Sequence, residues 1–246
     1  EAGDDRGRDG RDVRELVHRL VRPRPPPAPD ATPDSDRGDH ARFTMRFAEL
    51  LQRLQQLSPN VRFARRLQAY AELVRLTNDF TYTASTYGRI IIAEAALPPE
   101  HKTIRPFRGQ GEAGGEKYVV KGVYFKFAVR TEAALYVDDE AAAKVAGHEL
   151  RGLNQLLALR QRGVCFPMMA LIDYRGFRLV AESWLPITAH TLVSGSADGG
   201  RHVCASPNAH VRDTLRALAA RLNLRAHHVG PASNPLLSYG PVDMEV

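Results

Sequence analysis

Two short β-type runs, each broken by a basic residue followed by glycine, flank a 20-residue helical stripe, and that order limits what the chain can fold into. The first run reads Lys117–Val120, then Val123–Val129, around Lys121-Gly122; the second is MMALIDYRGFRLVAESWLPI, Met168–Ile187, around a turn at Asp173–Gly176. Alternating apolar residues on either side of a glycine-containing connector predict hairpins, so consecutive strands pair antiparallel. Between them, Glu140–Leu159 repeats apolar residues at helical spacing: Ala142, Val145, Ala146, Leu150, Leu153, Leu156 and Leu157. Such a stripe needs a sheet to bury against, which predicts an α+β fold: a small antiparallel sheet with a packed helix.

Upstream, FTMRFAELLQRLQQL (Phe43–Leu57) has helical periodicity and is interrupted by Ser58-Pro59-Asn60 before a second helix over Val61–Phe80. The short connector predicts an antiparallel pair as a helical lead-in. The Thr-, Tyr- and Ile-rich run Thr81–Leu97 predicts a strand around Arg89–Ala93, ended by Pro98-Pro99. Downstream, Val211–Leu224 forms a further helical segment. Glu1–His40 is a tail of Arg, Asp, Gly and Pro too poor in apolar residues to repay ordering, apart from a short helical pattern at Val13–Val21. The expected organisation is a tail over 1–40, a helical lead-in over 41–71 and a principal domain over 72–246.

Charge separates these parts. Of the 34 Lys plus Arg and 28 Asp plus Glu in the chain, 8 and 10 fall in Glu1–His40, which leaves 26 and 18 on the remainder. The folded part is therefore basic. That balance favours phosphate-rich partners through a field that salt screens, although solubility alone also accounts for it. Arg160, Arg162, Arg221 and Arg225, at helix ends or on polar faces, are the candidate RNA contacts. No apolar run reaches the roughly 18 to 20 residues a membrane span needs, and the N-terminus lacks a signal-peptide pattern. Cys165 and Cys204 have no metal-type spacing and read as reduced thiols. His227 and His228 lack a third ligand at zinc-like spacing, so no metal is expected.

One further constellation concerns nucleotides. Gly109, Gly111 and Gly114 form a GxGxxG segment; Lys126 interrupts the apolar strand VYFKFAV, and Glu149 interrupts the helical stripe. Strand, glycine loop, strand pair with an internal lysine, and helix with an internal glutamate is the element order of a kinase-like lobe, in which Lys126 and Glu149 would pair within salt-bridge reach. The alternative has Lys126 on a solvent face, Glu149 at the stripe's edge and the glycines as a slack connection. Glu112 and Glu116 bring negative charge where a phosphate would arrive, and no H-R-D or D-F-G triplet occurs, so phosphotransfer is not expected. The expected cofactor is none, with ATP as the alternative.

The segments ELVRLTNDFTYTASTYGRIIIAEAALPPEHKTI (Glu72–Ile104), GGEKYVVKGVYFKF, AAAKVAGHELRGL, DYRGFR (Asp173–Arg178) and YGPVD (Tyr239–Asp243) resemble the Clu domain of the clustered mitochondria protein family, over Glu72–Val246. In that family the last segment is followed by further acidic, arginine and proline residues, so the resemblance implies a C-terminally incomplete domain. It also implies a cytoplasmic, noncatalytic module linked to mitochondrial distribution or to messenger RNAs for mitochondrial proteins, with RNA or a cytoplasmic protein as partner.

Overall fold

The computed structural model describes residues 41–57, 63–107, 115–131, 136–185, 192–195, 204–225, 227–229, 236–238 and 244–245. The chain enters through α1 (Arg42–Gln56) and α2 (Phe63–Ala93). They run antiparallel, since Phe43 meets Phe80 edge-on at 5.5 Å while Arg46 and Arg53 both reach Glu72. After a 3-10 turn at Pro99–His101 come β1 (Lys117–Val120), β2 (Val123–Phe127), α3 (Asp139–Leu159), β3 (Met169–Tyr174) and β4 (Phe177–Ser183). Beyond them lie β5 (Leu192–Ser194), α4 (Ala209–Arg221), β6 (His227–Val229), β7 (Leu236–Ser238) and β8 (Met244–Glu245). The α+β class is as the sequence predicts.

The central sheet has the order β1-β2-β4-β3, antiparallel throughout. Both hairpins close with two residues at positive φ, Lys121 and Gly122 at 51° and 74°, Arg175 and Gly176 at 50° and 82°. This conformation matches the right-handed twist of the strands, and glycine adopts it without strain. Strand alternation then sorts the side chains. Tyr118, Val123, Phe125, Leu179, Ala181 and Ile172 face α1 and α2 in the main core. Met169, Leu171 and Val180 face α3, where Ala146 packs. The sheet is thus covered by a helix pair on one face and by α3 on the other.

The strand expected at Arg89–Ala93 is instead the end of α2, which continues for 31 residues. Its buried positions Phe80, Ala84, Gly88, Ile91 and Ile92 fall every three to four residues, a helical period that the local Thr and Tyr content masks. Burial against the sheet outweighs β-propensity of this kind, which amounts to only tenths of a kcal/mol per residue. Gly88 sits at the closest approach, where a Cβ would meet Ile172 Cγ1 and Leu179 Cδ2 at 3.3 Å. At the other end of the sheet, Ser183 Oγ accepts from the Met168 N–H at 2.9 Å and lies 2.7 Å from Thr44 Oγ1, tying α1 to the strands through buried hydroxyls.

Candidate functional site

The four arginines read as RNA contacts come from two helix ends. Arg160 caps α3 in the left-handed region, its N–H donating to Leu157 O at 3.2 Å, and Arg162 follows in the next turn. Arg221 occupies the last turn of α4 and Arg225 lies four residues on. Arg221 Nη1 donates to Gln161 Oε1 at 3.4 Å, and α3 and α4 are in contact, so the carbonyl-rich ends of both helices meet at one corner. Cations are favoured there because the helix C-terminus carries partial negative charge. All four side chains are exposed. The corner therefore presents guanidinium groups whose planar fork suits phosphate oxygens.

The nucleotide constellation divides. Gly109, Gly111 and Gly114 lie outside the described residues. Lys126 does not pair with Glu149 as expected; its Nζ is 3.4 Å from Glu182 Oε1 on the neighbouring strand β4. Burial alone would lower the Lys126 ammonium below its ordinary value, but the carboxylates of Glu182 and, further off, Glu149 outweigh it and raise it. The register explains the change of partner. Lys126 is directly opposite Val180 and Tyr124 opposite Glu182, so Glu182 is a diagonal cross-strand neighbour on the same face. The same register sets Lys126 opposite Lys117 on β1. With α2 in place of the strand expected before the glycines, the kinase-like element order fails at its first member.

Sequence reasoning missed two clusters. Lys102, 2% exposed in its side chain, donates to Glu116 Oε2 and, at 3.1 Å, to Tyr118 Oη, while the Tyr118 hydroxyl also donates to Glu116. Burial tends to raise the Glu116 carboxyl, but these two donors hold it below the usual carboxylate range. Glu116 is thus already engaged by a cation. The second cluster explains the DYRGFR motif. Across the Arg175-Gly176 turn, Arg178 Nε and Nη2 donate to the two carboxylate oxygens of Asp173, each at 2.7 Å, and Nη1 donates to Ala143 O on α3 at 2.8 Å. One guanidinium thus fixes the hairpin and ties it to the helix covering that face. Both charges were visible in the sequence, but the helix carbonyl was not.

Among the described residues no group of three or more His, Cys, Asp or Glu could hold a metal, and no helix is long and apolar enough to cross a membrane.

Comparison with known proteins agrees with the motif. Residues 47–246 match the family model described as Clustered mitochondria. The Clustered mitochondria protein of Arabidopsis thaliana is 34% identical over 107 residues, 42% of this chain and 8% of the relative. The Clustered mitochondria protein homolog of Anopheles gambiae is 25% identical over 188 residues, 74% of this chain and 12% of the relative. The chain thus spans a small fraction of the relatives' length. No solved structure matches it significantly.

Proposed function

The chain belongs to the clustered mitochondria family, and from that premise we propose that it is a noncatalytic, cytoplasmic RNA-binding module linked to mitochondrial distribution or to messenger RNAs for mitochondrial proteins. The observation supporting this reading is the convergence of Arg160, Arg162, Arg221 and Arg225 where α3 and α4 end. Residues 41–246 also carry the chain's whole positive excess. Arginine at such a corner binds phosphate oxygens without sequence preference, and any base selectivity then belongs to neighbouring loops.

The test is fluorescence anisotropy with a single-stranded RNA across salt. Four phosphate contacts to a single strand give a log–log slope of about −3, or a loss of roughly fifty-fold in affinity between 50 and 200 mM salt. Reversing all four arginines to glutamate should weaken binding at least tenfold at low salt and flatten the slope. Salt-independent binding, no binding at low salt, or an unaffected reversal variant would refute the assignment. Loss of a cytoplasmic protein partner in that variant, without any RNA affinity in the parent, would shift it to a protein interface.

A further inference from the structure

We propose that the β1–β2 half of the sheet face opposite the α1–α2 pair binds a free nucleoside phosphate, at a site separate from the arginine corner. The argument starts from Lys117. It is 9% exposed, and among the described residues its side chain has no hydrogen-bond or ion-pair partner. The residue directly opposite is Lys126, a second cation on the same face. Like charges at directly opposed positions destabilise an antiparallel pair, and a buried ammonium without a counter-charge is costly. Burial, and then the Lys126 charge, push the Lys117 ammonium below its ordinary value. Glu182 attends Lys126 at 3.4 Å but leaves Lys117 uncompensated. A phosphate between the two lysines would relieve both penalties.

The rest of the ligand is indicated by the rings beside them. Tyr124 lies two residues before Lys126 on the same face of β2. Its ring is 6.0 Å from Trp184, and Trp184 is 6.1 Å from Phe107. Phe107 is brought in by its N–H, which donates to Lys117 O at 2.6 Å, and the residue stays 53% exposed. Lys126, 37% exposed, marks where the site reaches the surface. Aromatic faces stack any base, and adjacent ammonium groups take its phosphates. A carboxylate metabolite without a ring would leave the three aromatics unused.

Trp184 is the single tryptophan of the chain, so its fluorescence reports directly from the site. The parent protein is titrated with ATP, with tripolyphosphate and with a six-residue oligoadenylate. Saturable quenching by ATP is expected, weaker without the base. Lys117→Met should weaken ATP at least tenfold while raising the melting temperature of the ligand-free protein, because it removes an uncompensated buried charge; Lys126→Gln should weaken ATP similarly. The reversal variant at Arg160, Arg162, Arg221 and Arg225 should keep the ATP response, which separates this site from the RNA reading. The proposal is overturned by no ATP response, by a response to the oligonucleotide alone, by loss of the response in the arginine variant, or by a Lys117→Met protein that binds ATP unchanged or melts lower.

Discussion

Arg178→Ala removes a guanidinium that serves two partners at once, and its cost can be worked from their exposure. The pair with Asp173 is bidentate at 2.7 Å, but Asp173 is 62% and Arg178 30% exposed in their side chains, so it contributes about 0.5–1 kcal/mol. The bond to Ala143 O is partly buried and charge-assisted, worth about 1.5 kcal/mol at the low end of its class. The expected loss is about 2 kcal/mol, or roughly 4–8 °C in melting temperature for a domain of this size. Asp173→Ala should lose only the pair's share, about 1 kcal/mol or less.

Urea unfolding of both single variants and the double variant at pH 7 measures the coupling directly. Hydrogen bonds from Arg178 hold the Asp173 carboxyl below its ordinary value against the opposing effect of burial. The folded state thus has the lower pKa. The pair's stabilisation is then fully present above the unfolded carboxyl value of about 4 and fades as pH falls below it. The gap between parent and Asp173→Ala should be flat from neutral pH to about 4 and shrink beneath that. Equal costs for Arg178→Ala and Asp173→Ala would refute the helix tie, and strictly additive single variants would refute the pair.

Lys102→Met should cost about 2–3 kcal/mol, read as a lower urea midpoint at pH 7, because it leaves the Glu116 carboxylate and the buried Tyr118 hydroxyl without their ammonium. An unchanged midpoint would mean that the cluster only balances its own desolvation. Gly88→Leu should lower stability by about 3 kcal/mol by forcing side-chain atoms into Ile172 and Leu179, whereas Gly88→Ala should change it little, since a gain of about 1 kcal/mol in helix propensity offsets the 3.3 Å contacts. Thermal melts of the two variants test this, and a Gly88→Leu protein as stable as its parent would show that the α2–sheet contact can yield.

The sequence by itself determined the elements whose signal is local. The two hairpins announce themselves through Lys121-Gly122 and Arg175-Gly176, α3 through its stripe from Ala142 to Leu157, and the family through DYRGFR. Turn geometry and side-chain period are properties of a few consecutive residues, so they can be read without knowing what lies across the fold. The tertiary structure decided what depends on partners distant in the chain. It drew Thr81–Ile92 into α2, because only the sheet shows that Phe80, Ala84, Gly88 and Ile91 share a buried face. It also gave Lys126 to Glu182 instead of Glu149, because the diagonal neighbour is set by how β2 registers against β4, which no spacing along the chain encodes. The opposition of Lys117 and Lys126, by contrast, is local, since the two-residue turn at Lys121-Gly122 pairs Val120 with Val123 and so sets Lys117 across from Lys126; what only the tertiary structure decided is that, among the described residues, no carboxylate from elsewhere reaches Lys117 as Glu182 reaches Lys126.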